Sequence, residues 1–500
     1  MGFSPTLLVQ APEVNPINKK ARSIPALNPI DMYGRVFTFA WMGFLIAFWS
    51  WYAFPPLMTK TIKADLHLSQ KEIANSNILA LTATLLVRLV SGPLCDRFGP
   101  RLVFAGLLLT GAIPTALAGT VTNATGLIIL RFFVGILGAT FVPCQVWSTG
   151  FFDKNVVGTA NALTGGFGNA GGGITYFAMP AIYDSLVGDR GLTPHVAWRV
   201  AFIVPFILIT ACALGMIFLC PDTPTGAWAN RMQNLDRNIE EEHNHGGIVS
   251  NQGGHLDKVP AEDKKDASSD QEAGTVAVGE AVVIDQYHHE SVQNPTVLEI
   301  LKVMASPQSL VLAACYVNSF GGELAINSIL GAYYNKNLEL GQTQSGRWAA
   351  MFGLVNVLFR PLGGIVSDLL YKYTNGSLWA KKLWIHFVGV IAGCFCLAIG
   401  LKDPTELGMM IGLVLGLAVF MDAGNGANFS LVPHVHPYAN GIVSGLVGAS
   451  GNLGGVIFAV IFRFTGNYHQ GIWIIGVFFI AINLAVSWIR PIPKGQIGGR

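Results

Sequence analysis

The sequence predicts an all-α polytopic membrane protein with twelve transmembrane helices, arranged as two six-helix bundles with internal pseudo-symmetry. Of the 500 residues, 51% are hydrophobic and only 12% are charged, whereas soluble domains carry roughly 25% charged residues. Apolar runs of about 20 residues, the length that crosses a bilayer core as a helix, recur along the whole chain. One long polar stretch separates six of these runs from another six.

The apolar runs locate the individual spans, each about as long as a tilted membrane helix. We predict spans at 36–58, 73–95, 102–121, 125–146, 159–183, 197–220, 308–334, 346–370, 383–401, 406–428, 440–463 and 471–489. The polar stretch 221–305 is charged and poor in aromatic residues, which predicts a largely disordered linker. The predicted order is an N-terminal segment (1–35), a first bundle (36–220), the linker (221–305), a second bundle (306–490) and a short tail (491–500).

Lysine and arginine residues in the short loops predict the orientation, because cytoplasmic loops carry an excess of both. They cluster before the first span, after the second and eighth spans, and in the tail. Lys60, Lys63 and Lys71 oppose this pattern but are outnumbered. Both termini, the linker and the tail are therefore predicted to be cytoplasmic, in a multi-pass protein of the plasma membrane.

Several function classes are disfavoured by composition and motifs. A net charge of +2 without a basic patch argues against nucleic-acid binding. The seven cysteines lie in or at the ends of apolar segments, without metal-ligand spacing to histidine, and are interpreted as buried packing residues. There is no P-loop, zinc-protease motif or nucleophile elbow in the sequence. We expect neither an enzyme nor a bound metal or cofactor.

Two pairs of motifs reveal an internal repeat. In spans 2 and 8, Arg88 to Asp96 and Arg360 to Asp368 both read R-x-x-x-G-x-x-x-D. In spans 5 and 11, GFGNAGGGIT and GASGNLGGVI share most of their glycines and one asparagine. Matching landmarks in two six-span halves imply a parallel duplication about an axis normal to the membrane, with a substrate site near the midplane between the halves.

These motifs resemble a known family. GPLCDRFGPR (92–101) is similar to the loop 2–3 motif of the major facilitator superfamily, and Arg131-FFV-Gly135 resembles its R-x-x-x-G element. The two glycine-rich stretches resemble the paired nitrate signatures of the nitrate/nitrite porter family, and the long linker and short tail are most like those of fungal high-affinity members. Loop 8–9 departs from the pattern, since it keeps Asp368 but little else of its motif.

Arg88 and Arg360 are the strongest site candidates. A charged side chain within a span costs about 2.5–3.5 kcal/mol on insertion scales and by default marks an ion or substrate pathway. The alternatives are a structural ion pair or a side chain that reaches the membrane interface. A guanidinium is planar and always protonated, so it can bind a flat oxyanion through two parallel hydrogen bonds. We expect both arginines to bind one anion from opposite halves.

The glycine-rich stretches predict close helix packing, which small residues permit in membranes. We assign a role in helix packing to the glycines that match between the two stretches, namely Gly168, Gly171, Gly172, Gly451, Gly454 and Gly455. The family resemblance implies that these stretches line the substrate cavity. Asn169 and Asn452 are then hydrogen-bond donors to the substrate.

Aromatic and acidic residues supply further candidates. Tyr316 and Phe320 lie four apart on one face of span 7 and, with Phe48 and Phe141, can cover a flat anion, although packing is the alternative role. Glu323, Asp422 and Arg131 are candidates for proton coupling, with buried ion pairs as the alternative. The superfamily resemblance assigns cytoplasmic gating to Asp96, Arg97, Arg101 and the repeat-related Asp368.

The resemblance implies a secondary active transporter that imports nitrate, and nitrite, with protons. Anion import against an inside-negative potential costs about 2.3 kcal/mol per charge per 100 mV, so it requires co-transported positive charge. The expected partners are nitrate, nitrite, protons and the lipid bilayer, and the expected state is a monomer. A nitrate/nitrite exchanger, an organophosphate or organic anion transporter and a transporter-like nutrient receptor remain alternatives.

Overall fold

The computed structural model describes residues 5–58, 61–244, 248–250, 256–258, 292, 294–340, 342–465, 467–494 and 496. The first four residues, most of the predicted linker beyond 244 and most of the tail beyond 494 lie outside these ranges. The description below is confined to the described residues.

The first half contains six long helical spans. Span 1 begins at the N-cap Asp31, whose carboxylate accepts hydrogen bonds from the first backbone N–H groups of the helix. Span 2 begins with a capping box formed by Ser69 and Glu72. The spans are span 1, Met32–Trp51, with the short extension Phe54–Met58; span 2, Gln70–Phe98; span 3, Pro100–Ala116; span 4, Ala124–Phe151; span 5, Val157–Gly188; and span 6, Pro194–Leu219.

The second half repeats this arrangement. Its spans are span 7, Pro307–Leu338; span 8, Gln342–Leu354 continued by Asn356–Tyr373; span 9, Leu378–Lys402; span 10, Leu407–Leu431; span 11, Asn440–Thr465; and span 12, Tyr468–Val486. Every predicted span coincides with one of these helices to within a few residues at each end. The predicted fold class is therefore confirmed.

Within the described residues, eleven of the spans are long and apolar enough to cross a membrane by length and composition. Span 5 is the remaining long helix, with 32 residues. Glycine and asparagine lower its hydropathy, because neither contributes a sizeable apolar side chain. It is held instead by its contacts with spans 1, 4, 8 and 10.

The described parts of segment 221–305 are helical near both ends. A helix covers Arg231–Asn244, and another covers Val297–Met304, with a capping box between Thr296 and Glu299. Two short strands, Ile248–Ser250 and Leu256–Lys258, pair antiparallel between them. The predicted disorder concerns mainly residues outside the described part and stays a prediction.

Helices cross between the two halves in a regular way. Span 1 packs against span 5, and span 7 against span 11, within each half. Across the seam, span 11 packs against span 2, and span 5 against span 8. The two glycine-rich helices therefore contact both halves, which places their glycines beside the seam.

Within the two glycine-rich stretches, the closest contacts with the backbone of a neighbouring helix occur at Gly171 and Gly454. A side-chain carbon at Gly171 would overlap the carbonyl oxygen of Leu45, and one at Gly454 would overlap that of Val317. At Gly172 and Gly455, by contrast, the nearest atoms to an added carbon belong to side chains, at 3.4 and 3.2 Å. Backbone-to-backbone contact therefore depends on the third glycine of each stretch.

The same contacts set the register between spans 1 and 7. Gly168 lies against the ring of Phe44, and its counterpart Gly451 lies against Tyr316 and Phe320. Together with the pairing of Leu45 and Val317, this makes Phe44 the counterpart of Tyr316. In the same register Phe48 corresponds to Phe320.

Spans 4 and 10 contain a further repeat that the sequence analysis missed. Gly138-Ala139-Thr140-Phe141 and Gly426-Ala427-Asn428-Phe429 occupy equivalent places along their helices. Phe141 and Phe429 meet edge to face, with ring centroids 4.7 Å apart. The two halves therefore touch through equivalent aromatic residues at the centre of the molecule.

Candidate functional site

Arg88 and Arg360 lie together at the centre of the molecule. Both side chains are fully buried. Their guanidinium carbons lie 5.0 and 5.2 Å from the centroid of the same ring, that of Phe141. Spans 2 and 8 thus bring one positive charge from each half to a single aromatic residue.

The arginines keep spare hydrogen-bond donors. Arg88 donates from Nε to the carbonyl of Gly138 at 2.9 Å and from Nη1 to that of Gly448 at 2.8 Å. Arg360 donates from Nη2 to the hydroxyl of Tyr316 at 3.1 Å. Nη2 of Arg88, and Nε and Nη1 of Arg360, have no hydrogen-bond partner among the described residues.

Among the same residues, no carboxylate forms an ion pair with either arginine. A buried charge without a partner is strongly unfavourable, so two adjacent buried cations with free donors favour an anion between them. Guanidinium donors suit carboxylate, phosphate or nitrate oxygens, because the N–H groups lie in one plane. The arrangement has the chemistry of an anion site.

Glycine allows each arginine to lie against a helix of the other half. A carbon added at Gly165 of span 5 would lie 2.8 Å from Nε of Arg360. One added at Gly448 of span 11 would lie 3.4 Å from Cδ of Arg88. The repeat-related glycines Gly165 and Gly448 therefore shape the site directly, in addition to the packing glycines predicted from the sequence.

Aromatic rings enclose the arginines. Phe141 and Tyr316 are stacked, with centroids 6.3 Å apart and planes 10° apart, and Tyr316 stacks on Phe320 at 5.3 Å with the same angle. The guanidinium carbon of Arg88 lies 5.6 Å from the Phe320 centroid. Phe429, which the sequence analysis did not select, contacts the edges of Phe141 and Tyr316.

Phe48 lies one ring away from this group. Its nearest aromatic neighbour is Phe44, at 4.4 Å, and Phe44 in turn contacts Phe141 at 5.3 Å. The repeat could have pointed to Phe44, since it is the counterpart of Tyr316. Of the four predicted aromatic residues, the structure brings Tyr316, Phe320 and Phe141 to the arginines and sets Phe48 behind Phe44.

The two asparagines differ in their hydrogen bonds. Asn452 is fully buried and donates to the carbonyl of Gly448 at 3.2 Å, the same oxygen that accepts from Arg88. Its Oδ1 has no partner among the described residues, and neither has the buried Nδ2 of Asn169. Asn169 follows Gly165 by one helical turn, as Asn452 follows Gly448.

Glu323 and Asp422 form a buried cluster with two amides. Asn356 donates to Glu323 at 2.7 Å and to Asp422 at 3.1 Å, and Asn425 donates to Glu323 at 2.6 Å. Asn356 precedes Arg360 by one turn of span 8, so the carboxyl groups lie next to the arginines, toward the start of that span. Asn356 and Asn425 were missed because an asparagine alone is a weak signal in sequence.

Arg131 is separate from this cluster. It donates to the hydroxyl of Ser76 at 2.7 Å and to the amide oxygen of Asn77, and its guanidinium carbon lies 5.8 Å from the Phe54 ring. All of these partners belong to the first half. The structure therefore does not bring Arg131 to Glu323 and Asp422.

The predicted gating aspartates bind the starts of the glycine-rich helices across the seam. Asp96 accepts from the backbone N–H groups of Gly441 and Ile442, at 2.8 and 3.0 Å, at the start of span 11. Asp368 accepts from the backbone and hydroxyl of Thr159, at 2.6 and 2.9 Å, at the start of span 5. These bonds join the halves on the side where spans 2 and 8 end.

The basic residues near the aspartates stay within one half. Arg101 pairs with Asp222 at 2.5 Å, and Arg97 lies over the ring of Phe98. Lys381 donates to Asp368 at 2.7 Å and is completely buried. In loop 8–9, where the superfamily motif is degraded, Lys381 thus supplies the cation that the sequence pattern had not located.

Residues 40–459 match the family model described as Major Facilitator Superfamily. The chain belongs to the major facilitator superfamily. It is a multi-pass membrane protein of a transporter superfamily. Two solved structures share its fold. The proton:xylose symporter XylE has a TM-score of 0.61 at 11% identity, over 90% of this chain and 94% of that one. The human organic anion transporter MFSD10 has a TM-score of 0.53 at 12% identity, over 90% of this chain and 99% of that one.

Relatives with similar sequences indicate which family of the superfamily the chain belongs to. The chain is 36% identical to "Elsinochrome transporter 1" of Elsinoe fawcettii, over 98% of this chain and 99% of the relative. It is 32% identical to "High affinity nitrate transporter 2.5" of Arabidopsis thaliana over 94% and 82%, and 28% identical to "Nitrate/nitrite transporter NrtP" of Nostoc punctiforme over 87% and 88%. Membership of the nitrate/nitrite porter family, inferred from the paired signatures, is confirmed.

Proposed function

We propose that the protein imports nitrate, and nitrite, across the plasma membrane together with protons, as a monomeric secondary transporter working by alternating access. Relatives named as nitrate transporters support this proposal, including one that is 32% identical over 94% of the chain. The two halves then alternate in opening to either side of the membrane, with the anion bound between Arg88 and Arg360.

One observation carries the proposal: two buried arginines from opposite halves present unshared donors around one ring. Nitrate is a flat monoanion with three acceptor oxygens, so it can take hydrogen bonds from both guanidinium planes at once. Tyr316 accepts from Arg360 and keeps its own hydroxyl proton to donate. The unshared amide of Asn169 adds a further donor.

Glu323 and Asp422 are the proposed proton carriers. Import of a single anion opposes the membrane potential by about 2.3 kcal/mol per 100 mV, and two or more protons per nitrate make the cycle electrically favourable. Both carboxyl groups share the amide of Asn356, so two negative charges there repel one another. An anion on Arg360 removes positive potential from this cluster, so anion and protons bind together.

Asp96 and Asp368 are the proposed cytoplasmic latches. Asp96 accepts from two backbone N–H groups, and Asp368 from one backbone N–H and one hydroxyl, at helix starts where the helix dipole adds to the attraction. Opening toward the cytoplasm must break both sets of bonds at once, because each joins one half to the other. Release of nitrate and protons into the cell therefore follows the loss of these bonds.

Binding measurements on purified protein test the anion site. Arg88→Lys and Arg360→Lys keep the charge but lose the planar pair of donors, which predicts an increase in nitrate Kd of about ten- to a hundred-fold. Arg199→Lys is the matched control, since Arg199 is bound to Asp65 away from the site. Wild-type nitrate affinity in both variants would show that these arginines do not bind the substrate.

Transport of elsinochrome or a related compound is the second candidate function. The specific observation in its favour is the 36% identity to the fungal elsinochrome transporter over nearly the full length of both chains. Liposomes containing the purified protein should accumulate nitrate, and elsinochrome should not compete for it. Competition by elsinochrome together with absent nitrate uptake would favour the second candidate, and nitrate uptake without any pH dependence would favour a nitrate/nitrite exchanger.

A further inference from the structure

Span 7 carries a row of polar residues beside its aromatic row, and the two rows meet near Glu323. Asn318 and Ser319 follow Cys315 by three and four residues, and Glu323 follows Ser319 by four, so the four residues lie along one side of the helix. All four are buried. The row runs from the first third of the span to the carboxyl cluster, through the interior of the second half.

A small, mostly apolar cavity lies beside the middle of this row. Asn318, Ser319 and Asn483 contribute polar atoms to its lining, and the rest of the lining is largely apolar. Asn318 is 1% exposed, and neither its amide atoms nor the hydroxyl of Ser319 has a partner among the described residues. Buried polar atoms are nearly always paired, so a cavity with several unpaired ones is a site for ordered water.

The outer end of the row reaches the carboxyl cluster. Ser319 packs on span 10 at Gly424, where an added carbon would lie 3.4 Å from its Cβ. The next residue, Asn425, donates to Glu323 at 2.6 Å. Water beside Ser319 therefore lies next to the cluster that contains Glu323.

The cytoplasmic end of the row reaches His386 of span 9. Its Nδ1 lies 3.1 Å from Oδ1 of Asn483, whose Nδ2 donates to the carbonyl of Phe479. That second bond orients the amide, so Nδ1 carries the hydrogen and Nε2 carries a lone pair. Nε2 is buried and has no partner among the described residues.

Two other titratable groups of the described residues surround His386. Cys315 of span 7 lies 4.0 Å from Nδ1. Lys382, one turn closer to the start of span 9, donates to the last carbonyls of span 12, at Val486 and Ser487. The element that faces His386 from span 12 contributes the amide of Asn483 and no charge.

The first half has no such row. In the register set by the glycine contacts, Gly43, Ile46 and Ala47 of span 1 correspond to Cys315, Asn318 and Ser319. The fold therefore forms without polar residues at these positions. Burying Asn318 and Ser319 without partners costs stability, which indicates a role beyond folding.

We infer that this row conducts protons between the Glu323–Asp422 pair and the cytoplasm, through water at Asn318 and Ser319, with His386 as the relay. The inference rests on the proposed proton coupling. A carboxyl group of the pair loses a proton to the water and becomes a carboxylate. His386 gains a proton at Nε2, becomes an imidazolium and releases it to the cytoplasm. The route bypasses the arginines, so protons and anion leave separately.

Reconstituted liposomes test the row with substitutions taken from the first half. Asn318→Ile and Ser319→Ala install the residues found at Ile46 and Ala47, and His386→Gln keeps a hydrogen-bonding side chain that cannot carry a proton. Nitrate accumulation driven by a pH gradient should fall by about tenfold or more in Asn318→Ile and His386→Gln, since positioned proton carriers contribute at least that much. Nitrate–nitrate exchange at equal pH should stay at the wild-type level, because exchange needs no proton release.

Ala47→Ser is the matched control, and it should accumulate nitrate like the wild type. Ser319→Ala removes only one hydroxyl, so it tests the row even if Asn318→Ile does not fold. Wild-type nitrate accumulation in the Asn318, Ser319 and His386 variants would refute proton conduction along the row but not proton coupling at Glu323. Equal loss of exchange and accumulation in folded variants would overturn it too, as a structural effect. Failure of the wild-type protein to accumulate nitrate in response to a pH gradient would instead refute the proposed proton coupling itself.

Discussion

The two halves of the molecule share their architecture and their arginines but differ at the residues next to the arginines. In the second half Glu323, Asn356, Asp422 and Asn425 form a hydrogen-bonded cluster. The equivalent positions of the first half, set by the glycine contacts and the G-A-x-F repeat, hold Trp51, Thr84, Val134 and Leu137.

This difference separates what the fold requires from what transport requires. Spans 1, 2 and 4 carry three apolar residues and one threonine where spans 7, 8 and 10 carry two acids and two amides. Acids in a span are costly, so their presence in one half only points to a role other than packing. We propose on this basis that the shared arginines bind the anion and that the unshared carboxyl groups carry the proton.

The largest expected effect is the loss of either shared arginine. Arg88→Ala and Arg360→Ala should each abolish nitrate uptake, because the remaining arginine cannot hold the anion from both sides. Uptake of labelled nitrate into cells that lack their own transporter measures this, with surface expression checked in parallel. Strong uptake by one variant only would mean that the two halves do not contribute equally to the anion site.

The next effect concerns the unshared carboxyl groups. Glu323→Gln and Asp422→Asn keep the size and hydrogen bonding of each side chain but remove its ability to carry a proton. Uptake driven by a pH gradient should fall by about tenfold or more, whereas nitrate binding should change little. Unchanged pH dependence in both variants would remove the distinction between the halves that is drawn above.

A smaller effect is expected from the packing glycines. Gly171→Ala and Gly454→Ala place a methyl group against a backbone carbonyl, which cannot move aside. Gly172→Ala and Gly455→Ala meet side chains at 3.4 and 3.2 Å and serve as matched controls. The first pair should lower the thermal stability and uptake rate clearly more than the second. Equal behaviour of all four would contradict the contact geometry.

A still smaller effect is expected in the pH dependence of stability, from Asp65 in the connection between spans 1 and 2. Partial burial of Asp65 acts in the opposite direction, but hydrogen bonds from His195, Arg199 and Trp198 hold the pKa of this carboxyl below its usual range. A depressed pKa stabilises the folded state at pH values above about 4, and this stabilisation disappears as the pH falls further.

Asp65→Asn should therefore lower Tm by a few degrees at neutral pH. Its deficit relative to the wild type should shrink as the pH falls below about 4. Thermal melts of both proteins over pH 3 to pH 8, an experimental range chosen to bracket roughly that transition, supply the measurement. A deficit that does not depend on pH would show that the carboxylate charge contributes nothing.

The smallest effect is expected from the linker. Deletion of 259–290 should leave nitrate Kd within about twofold, since a polar segment outside the membrane adds no packing to the site. The helix Arg231–Asn244 should be kept, because Asn238 donates to the carbonyl of Ile17 at 2.9 Å. A collapse of nitrate affinity in the purified deletion variant would assign the segment a structural role.

Much of the fold followed from the sequence because span length and hydropathy are local properties. The arginines, the glycine stretches and the two motif aspartates followed from the repeat. Phe429 and Lys381 did not, since their roles depend on which helix faces rotate toward the seam. For the same reason, the sequence did not show which glycine of each stretch contacts the neighbouring backbone. The rotation of the helices places Gly171 and Gly454 there rather than the glycines adjacent to them.

The reciprocal bonds of Asp96 and Asp368 have an evolutionary consequence. Each aspartate binds the glycine-rich helix of the opposite half, so neither half could close the seam alone. In a six-helix ancestor the same bonds would form between two identical copies, as in a two-fold symmetric dimer whose interface is self-complementary. After fusion of the two copies, the sequence of each half could change independently of the other. One copy could keep apolar helices while its twin acquired the acidic cluster, without changing the interface that both still share.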